Sequence, residues 1–424
     1  MSRQEYLVAT KQKPLNCVVD VPGSKSIANR ALVCASLACG ISTIRGLPDG
    51  DDTTAMLGAL KVLGANITSI AGGVRFDSAI DLDDSEARVV DAKLAGTTAR
   101  FLTAIGALRS APLTVDGGAP LQSLPMEDLH RALADIGAVV SWTDVDYHLP
   151  VTVRRGVSSQ HSVRIAANTS SQFVTALMLI APLFENGLHI ELIGDIVSQP
   201  YIAMSASVMR SFGAQVDIDD DRTIIVHPGG YNGCEYEIEP DASSASYPYA
   251  AVAIVGGQLR VNGISPQMMQ GDARFLDVLQ QMGCQQTVDK TGVTLTRNAD
   301  VELIGIDIDM SEMSDVVPTL AAVALFASTP TRIRGIGFIR NKESDRIGDL
   351  AQELRKLGAE VVEHDDGIEI LPNPLHGGRC DTHHDHRLAM AFGLVGLVVN
   401  GVVIDQPVVV SKSWPNYCEM LERI

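Results

Sequence analysis

Hydrophobic positions along the chain alternate between a helical and a strand period, and this alternation recurs. Apolar, alanine-rich segments with helical spacing occur at 31–38, 99–108, 173–183, 247–255, 316–326 and 388–399. Each is followed by a glycine or proline turn and a short β-rich stretch, at 42–45, 113–116, 189–193, 258–261, 331–334 and 402–404. Because helix and strand periods alternate within every segment, the pattern predicts an α/β fold.

A second, amphipathic helix is predicted in each repeat, for example at 53–63 and 346–357, and it ends at a glycine followed by a small residue. These glycines are Gly64, Gly137, Gly213, Gly283 and Gly358, with spacings of 73, 76, 70 and 75 residues. A glycine there suits the left-handed C-cap of a helix. A sixth copy at 416–424 has no closing glycine. The spacing predicts six structural repeats of about seventy residues, three in each of two domains.

Composition and charge favour a globular protein that does not bind nucleic acid. The 424 residues are 46% hydrophobic and 20% charged, which is typical of a globular protein. A formal net charge of −18 disfavours duplex nucleic acid, and the 4% aromatic content disfavours base stacking. Anionic small molecules stay possible ligands, because a cleft can concentrate positive charge against the overall sign.

Cysteine usage and the N-terminus predict a cytoplasmic protein. The seven cysteines are scattered and contain no C-x-x-C pair, which favours a reducing compartment over a disulfide framework or a zinc site. The N-terminal sequence has no apolar segment typical of a signal peptide. The longest uncharged stretch, 388–404, is interrupted by glycines, so it predicts a buried helix and a strand rather than a membrane span.

Polar clusters precede the apolar helices, and the first of them indicates an anion site. Gly23, Lys25, Ser26 and Arg30 lie between a predicted strand and an apolar helix. Glycine allows close approach of the backbone to a ligand, and a helix N-terminus offers unpaired N–H donors. Only half of the phosphate-binding P-loop pattern is present, which disfavours an NTPase. When this segment is taken alone, a purely structural interpretation stays open: a capped helix start whose lysine is exposed to solvent and binds no ligand.

The other helix starts repeat this chemistry, with hydroxyls and arginines suited to oxyanions, at 96–100, 169–172, 241–247, 314–315 and 384–387. The charged run 342–346, taken alone, is typical of a solvated helix start. His383, His384 and His386 lack the H-E-x-x-H spacing, and the carboxylates close to them in sequence are Asp381 and Asp385. The sequence therefore predicts no metal site.

Eight segments, in chain order, resemble the EPSP synthase (3-phosphoshikimate 1-carboxyvinyltransferase) family. They are PGSKSIANRA, AGTTARF, SSQFVTALM, SQPYIAM, DASSASY, MQGDARF, KESDRI and DHRLAM, and they span nearly the whole chain. The resemblance implies a two-domain inside-out α/β barrel built from six βαβαββ repeats. It places one domain at 21–240 and the other at 1–20 together with 241–424.

The resemblance also implies an activity: transfer of the enolpyruvyl group of phosphoenolpyruvate to the 5-hydroxyl of shikimate 3-phosphate, with release of phosphate, in aromatic amino-acid biosynthesis. It implies no metal or organic cofactor, no nucleic-acid or membrane partner, and a monomer. Asp315 would accept the hydroxyl proton. Glu343 and Lys25 would act around the phosphoenolpyruvate carbon and its bridging oxygen.

Substrate contacts are implied in the same way. Shikimate 3-phosphate would be held by Ser26, Arg30, Ser170, Ser171, Gln172, Ser198, Tyr201, Asp315 and Lys342. Arg346 and Arg387 would bind the phosphoenolpyruvate carboxylate. Its phosphate would be met by Lys25, Gly96, Gln172 and Lys412.

Three positions depart from the family pattern. Leu94 stands where an asparagine is frequent, and Phe338 stands where some members have an asparagine. Leu124 stands where the family has an arginine that binds the phosphate of phosphoenolpyruvate. Weaker binding of phosphoenolpyruvate is therefore expected unless another cation acts in its place.

The identity of the alcohol that accepts the enolpyruvyl group stays open. One is an enolpyruvyl transferase for UDP-N-acetylglucosamine, but that family carries a cysteine in a mobile loop of its first domain, and here none lies between Cys39 and Cys234. Others are a transferase for a different alcohol and a catalytically weakened paralogue. A repeat-built binding scaffold would not need Lys25, Asp315 and Glu343 at the family's positions.

Overall fold

A computed structural model describes residues 5–157, 160–219, 222–298 and 300–424. Contacts between Cα atoms divide the chain into two compact units. Gly23–Ile238 forms the N-terminal unit, and the described part of Met1–Pro22 joins Glu239–Ile424 in the C-terminal unit. Each unit is described by itself.

The α-helices in chain order are α1 Lys25–Leu37, α2 Asp51–Val62, α3 Gly96–Gly106, α4 Ala119–Gln122, α5 Glu127–Asp135, α6 Ser171–Ile180, α7 Gln199–Ser211, α8 Ala242–Val255, α9 Phe275–Gln281, α10 Val317–Ala324, α11 Gly348–Lys356, α12 His386–Gly396 and α13 Tyr417–Arg423. Short 3-10 turns are Ala181–Leu183, Gly271–Arg274, Ser314–Val316, Gly337–Asn341 and Pro407–Lys412.

The strands in chain order are β1 Glu5–Leu7, β2 Leu15–Val19, β3 Ala38–Cys39, β4 Ser42–Arg45, β5 Ile67–Ile70, β6 Gly73–Phe76, β7 Arg88–Asp91, β8 Leu113–Asp116, β9 Val139–Trp142, β10 Val151–Arg154, β11 Ser162–Ala166, β12 Leu188–Ile193, β13 Val216–Asp219, β14 Thr223–Val226, β15 Tyr231–Asn232, β16 Glu235–Glu237, β17 Gly257–Asn262, β18 Gln285–Asp289, β19 Gly292–Arg297, β20 Asp307–Asp309, β21 Thr331–Arg334, β22 Glu360–His364, β23 Gly367–Leu371, β24 Arg379–Cys380 and β25 Val403–Asp405.

The sheets repeat one pattern, in which a parallel pair is followed by two antiparallel neighbours. In the N-terminal unit the strand orders are β16-β4-β6-β5, β7-β8-β10-β9 and β11-β12-β14-β13. In the C-terminal unit they are β2-β17-β19-β18 and β20-β21-β23-β22, with the three-stranded β1-β25-β24. This repetition confirms the repeats expected from the periodicity.

Strand pairing explains why the first strands belong to the C-terminal unit. Tyr6 of β1 pairs with Ile404 of β25, and Cys17 of β2 pairs with Leu259 of β17 in parallel. A strand placed alone would leave its backbone hydrogen-bonding groups unpaired. These pairings therefore join the beginning of the chain to sheets that are completed much later in the sequence.

Three apolar helices pack against one another inside each unit. They are α1, α3 and α6 in the N-terminal unit and α8, α10 and α12 in the C-terminal unit. All residues of α12, and all of α8 except Val255, are buried. Helices that are apolar on all sides need cover on all sides, which places them in the centre and the sheets with their amphipathic helices around them.

The closing glycines adopt the predicted left-handed conformation. The backbone φ is +91° at Gly64, +90° at Gly137, +86° at Gly213, +113° at Gly283 and +90° at Gly358. L-residues with a Cβ rarely adopt this region, so glycine is required there. The prediction of helix ends from these glycines is confirmed.

Helix starts differ from the sequence-based expectation. The helix predicted from residue 31 begins at Lys25, because the preceding polar turn is helical too and the buried Arg30 in it is held by hydrogen bonds that an apolar pattern cannot register. Conversely, the helix predicted from residue 346 begins at Gly348, after Asp345 accepts hydrogen bonds from the backbone N–H groups of Ile347 and Gly348. In the part of the chain that the structure describes, no helix has the length and apolarity needed to cross a membrane.

Candidate active site

The predicted residues of the N-terminal unit gather at the starts of its central helices. Lys25 and Ser26 lie in the first turn of α1, and Gly96 is the first residue of α3. Ser170 caps α6, where its Oγ accepts a hydrogen bond from the backbone N–H of Gln172 at 3.3 Å. Helix N-termini carry partial positive charge, so this arrangement favours anions.

Lys25 forms an ion pair that the sequence did not reveal. Its Nζ lies 3.1 Å from Oδ2 of Asp52, and the two side chains are 15% and 5% exposed. Asp52 belongs to the first turn of α2, where acidic residues are common because they complement the helix dipole. Its position in the sequence therefore gives no sign of a functional partner. In the structure it holds the amine of Lys25 in place.

Arg30 is buried among hydroxyl and carbonyl oxygens. It donates hydrogen bonds to Ser205 Oγ at 2.8 Å, Ser26 O at 2.7 Å, Thr175 Oγ1 at 3.3 Å and Tyr201 O at 3.4 Å. Burial lowers its pKa to about 10, so the guanidinium stays charged at neutral pH. These bonds connect α1 with α6 and α7. A contact between Arg30 and shikimate 3-phosphate stays a prediction.

Ser198 and Tyr201 lie at the start of α7. Ser198 is the N-cap and has a left-handed backbone with φ of +55°, which is uncommon for a residue other than glycine. The Tyr201 ring centroid is 5.9 Å from the guanidinium carbon of Arg30. The α7 start therefore contacts Arg30 of α1, and a ligand shared by these residues stays a prediction.

Gly23 is required by the packing of the chain around it. A Cβ at this position would lie 1.8 Å from the carbonyl oxygen of Gly46, far inside van der Waals contact. Only glycine fits beside this backbone carbonyl, and the close approach of the Gly23 backbone to a ligand stays a prediction.

The C-terminal unit contains a charge cluster formed by Asp315, Glu343, Arg346, Asp385, Arg387 and Lys412, here called the carboxylate–arginine cluster. Arg346 donates to Asp315 Oδ1 at 3.1 Å and to Glu343 Oε2 at 2.7 Å. Arg387 donates to Asp315 Oδ2 at 2.6 Å, and Lys412 Nζ donates to Glu343 Oε1 at 2.9 Å. Five of the residues that the sequence proposed in this unit, Asp315, Glu343, Arg346, Arg387 and Lys412, are thus joined by direct hydrogen bonds.

Several elements supply this cluster. Asp315 lies in the 3-10 turn Ser314–Val316, directly before α10, and Arg387 lies in the first turn of α12. Glu343 and Arg346 come from the loop before α11, and Lys412 ends the turn Pro407–Lys412. Packing of α10 on α12 brings two helix starts together although Asp315 and Arg387 are 72 residues apart.

Asp385 is a member of the cluster that sequence reasoning did not propose as a site residue. It is fully buried and accepts from Arg346 Nε at 2.7 Å and Arg346 Nη2 at 3.3 Å. It also caps α12 by accepting from the backbone N–H of Arg387 at 2.8 Å. Aspartate at the N-cap of an apolar helix was the available signal, but that position is ordinary for aspartate.

Neighbouring charges determine the protonation states of Asp315 and Arg346 in the cluster. Burial alone would raise the pKa of Asp315, but the neighbouring Arg387 and Arg346 guanidiniums outweigh burial and hold that pKa well below its usual range. For Arg346, burial opposes the charged form, while Asp385, Glu343 and Asp315 raise its pKa. Lys342, with Nζ 5.7 Å from the Phe338 ring centroid, also lowers the pKa of Asp315. Asp315 is therefore ionised at neutral pH.

Comparison with known proteins identifies the family. A model of the family "EPSP synthase (3-phosphoshikimate 1-carboxyvinyltransferase)" matches residues 9–421. A 3-phosphoshikimate 1-carboxyvinyltransferase from Nostoc sp. is 40% identical over 410 residues, covering 96% of each chain. The chain belongs to the EPSP synthase family. A relative with the same name from Methanosphaerula palustris is 38% identical, again covering 96% of each chain.

Solved structures confirm the fold expected of the EPSP synthase family. An EPSP synthase from Acinetobacter baumannii superposes with a TM-score of 0.82 at 24% identity, over 99% of this chain and 98% of that one. The enolpyruvyl transferase NikO from Streptomyces tendae gives a TM-score of 0.78 at 19% identity, over 99% and 97%. At these identities the likeness concerns the fold alone.

Two histidines near the start of α12, His383 and His386, lie beside carboxylates. His383 Nε2 lies 2.9 Å from Oε1 of the buried Glu353, and its Nδ1 lies 3.5 Å from Asp349 Oδ1. His386 is buried beside Asp385. Across residues 5–157, 160–219, 222–298 and 300–424, no group of three or more metal-ligating side chains is placed to hold a metal ion.

Asp272 is a buried carboxyl next to this family's characteristic DASSAS segment. It is 4% exposed, and Ser243 Oγ donates a hydrogen bond to its Oδ2. Burial raises its pKa to about 7, and the negative charge of Asp315 acts in the same direction. The protonated form is therefore favoured in the folded protein below neutral pH.

Asp272→Asn should change the pH dependence of stability. A carboxyl with a raised pKa in the folded state stabilises most below its unfolded pKa, and this contribution is lost as pH rises through about 7. An asparagine cannot ionise, so the variant should gain stability relative to the parent between pH 5 and pH 8. The gain should be a few kcal/mol at most, roughly 1.4 per pKa unit. Urea unfolding across this pH range measures it.

The exposed Asp277→Asn is the control and should leave the pH dependence of unfolding unchanged. Parallel stability curves for Asp272→Asn and the parent protein would contradict a raised pKa at Asp272.

Proposed function

We propose that this chain transfers the enolpyruvyl group of phosphoenolpyruvate to the 5-hydroxyl of shikimate 3-phosphate. Family membership and relatives at 36–40% identity with the name 3-phosphoshikimate 1-carboxyvinyltransferase support this activity. The observation that carries the proposal is the carboxylate–arginine cluster. It combines an ionised carboxylate, Asp315, with two arginines that suit a substrate carboxylate.

The reaction requires proton transfers that the proposed side chains can perform. The acceptor hydroxyl gives up its proton as its oxygen bonds to C2 of phosphoenolpyruvate, and the vinyl CH2 gains a proton. Loss of a methyl proton with departure of phosphate then restores the double bond. Asp315 would take the hydroxyl proton, since it is ionised. Glu343, between Arg346 and Lys412, and Lys25 would serve the protons at the phosphoenolpyruvate carbon and bridging oxygen.

The residues proposed to bind phosphoenolpyruvate differ in charge and chemistry from those proposed to bind shikimate 3-phosphate. In the C-terminal unit, Arg346 and Arg387 would exchange part of their hydrogen bonding with Asp315 and Glu343 for the carboxylate of phosphoenolpyruvate. Lys342 and Lys412 supply further positive charge. In the N-terminal unit, the hydroxyls at the α1, α6 and α7 starts would hold shikimate 3-phosphate, through Ser26, Ser170, Ser171 and Ser198 with Arg30 and Tyr201.

An acceptor assay tests the proposal. We expect phosphate release from phosphoenolpyruvate to require shikimate 3-phosphate, and mass spectrometry to detect its enolpyruvyl ether. UDP-N-acetylglucosamine, at the same concentration, should support no release above background. Release with the UDP-sugar at a comparable rate, or none with shikimate 3-phosphate, would contradict the proposal and favour a different acceptor.

We further propose a cytoplasmic monomer with domains at 21–240 and at 1–20 plus 241–424. All seven cysteines are free thiols, which supports a reducing compartment. The two compact units have boundaries within two residues of the proposed ones, which supports the domain division.

A further inference from the structure

We infer that Glu353 and His383 are positioning residues for the two arginines proposed to bind the carboxylate of phosphoenolpyruvate. The inference rests on the proposed function and adds two residues that the resemblance to the family did not assign to the site. Neither residue lies in the eight segments that carry that resemblance. The contact between them lies entirely within the C-terminal unit.

Glu353 is a fully buried carboxylate on α11, and it holds the chain that precedes α12. Its Oε2 accepts from the backbone N–H of Asp381 at 2.9 Å, and its Oε1 lies 2.9 Å from Nε2 of His383. Lys356 Nζ donates to both of these oxygens, at 2.7 and 2.8 Å. Because both oxygens accept from the lysine, Nε2 of His383 carries the hydrogen of its contact with Oε1. Both carboxylate oxygens therefore fasten the segment 381–383 to α11.

The segment that Glu353 holds has an uncommon backbone conformation. The backbone φ is +48° at His383 and +56° at His384, in the left-handed region that residues other than glycine seldom adopt. Such conformations persist where the surroundings hold them, and they are concentrated at functional sites. Further contacts hold this turn: the His383 backbone N–H donates to Asp381 Oδ1 at 2.8 Å, and His383 Nδ1 lies 3.5 Å from Asp349 Oδ1.

The turn leads directly into the carboxylate–arginine cluster. The backbone N–H of Asp385 donates to the carbonyl of Thr382 at 2.8 Å. Asp385 in turn caps α12 and accepts from Arg346 Nε at 2.7 Å, and Arg387 lies in the first turn of α12. Glu353 belongs to the helix that follows the loop with Arg346. The contact from Glu353 to the turn therefore joins the two chain segments that carry the two arginines.

Fixed spacing between these arginines matters for binding one carboxylate. Two guanidiniums bind the same anion well only when supporting contacts hold both in the productive geometry. A displaced turn would move Asp385 and Arg387 relative to Arg346, and binding of phosphoenolpyruvate would weaken. Most of the groups proposed for shikimate 3-phosphate lie in the N-terminal unit, so its binding should change much less.

Two substitutions at position 383 separate the side-chain contact from the backbone conformation. His383→Asn keeps a residue that tolerates the left-handed region, but the side chain is too short to reach Glu353 as the imidazole does. We expect it to raise the Michaelis constant for phosphoenolpyruvate roughly tenfold, and to change kcat and the constant for shikimate 3-phosphate less than about twofold. His383→Gln has an amide NH2 that reaches Glu353, so its constant for phosphoenolpyruvate should stay within about threefold of the parent value.

Glu353→Gln tests the same contact from α11. An amide has one accepting oxygen, so it cannot accept from both the Asp381 N–H and His383 Nε2. The Michaelis constant for phosphoenolpyruvate should again rise roughly tenfold, with the constant for shikimate 3-phosphate little changed. His376→Asn, which replaces an exposed histidine of the same unit, is the control and should leave both constants and kcat unchanged. Urea unfolding of each variant shows whether it is folded under assay conditions, and the two variants at position 383 keep the test decisive if Glu353→Gln is not.

Two results would overturn the inference while the parent enzyme is active. One is an unchanged Michaelis constant for phosphoenolpyruvate in folded His383→Asn. The other is an equal rise of the constants for both substrates that His383→Gln shares, because a contact that merely stabilises the fold has no preference for one substrate. Failure of the proposed function is a different result, since the parent protein itself would then form no product with shikimate 3-phosphate.

Discussion

Asp315→Asn and Glu343→Gln should each lower kcat for product formation by about 10²–10⁴-fold, the usual contribution of a general acid or base. Both substitutions keep the size of the side chain and remove its ability to exchange a proton. Asp315 is held ionised by Arg387 and Arg346, so Asn would remove the carboxylate that we propose as the proton acceptor. The Michaelis constants should change much less, because the arginines and lysines of the cluster stay present.

Rapid-quench and steady-state assays of the same preparations measure this loss. Glu312→Gln, an exposed carboxylate paired with Arg274, is a matched control and should retain full turnover. Near-normal kcat in Asp315→Asn or in Glu343→Gln would remove that residue from the proton-transfer steps.

Asp385→Ala should destabilise the protein by about 3–5 kcal/mol, because it removes the one fully buried carboxylate among the three that pair with the buried Arg346. Asp385 and Arg346 are 0% and 1% exposed, so water cannot replace the lost contacts. The substitution also removes the N-cap of α12, which typically contributes about 1 kcal/mol. Since Arg346 positions Asp315 and Glu343, turnover should fall together with stability.

Urea unfolding and turnover, measured on the same variants, test this prediction. Asp385→Asn keeps an oxygen for capping and should be less destabilising than Asp385→Ala. Asp405→Ala removes a half-buried aspartate paired with the exposed Arg379 and should cost less than about 1 kcal/mol. Equal unfolding midpoints for Asp385→Ala and the parent would show that the buried ion pair does not stabilise the fold.

The repeat architecture could be predicted because its signals are local. The strands predicted at 42–45, 113–116 and 331–334 have these same bounds in the structure. Left-handed glycines such as Gly64 and Gly358 end their helices as expected. Hydrophobic period and backbone conformation depend on neighbouring residues, so sequence alone contains them.

Polar residues at helix starts were harder to assign. The predicted helix at 31–38 missed the turn from Lys25 to Arg30, because burial of Arg30 depends on Ser205 and Thr175, far away in the chain. The steric need for glycine at position 23 could not be predicted either, since the approach of Gly46 that requires it is a contact between separate parts of the chain.

The sequence by itself determined the six repeats, the α/β class, the family and most of the charged residues proposed for the reaction. Only the tertiary structure decided their partners: Asp52 for Lys25, Asp385 for Arg346 and Arg100 for Gln172. These partners lie 27 to 72 residues apart in the chain and meet because separate helices pack with their starts together. Electrostatic pairing depends on distance in space, which local sequence patterns do not encode.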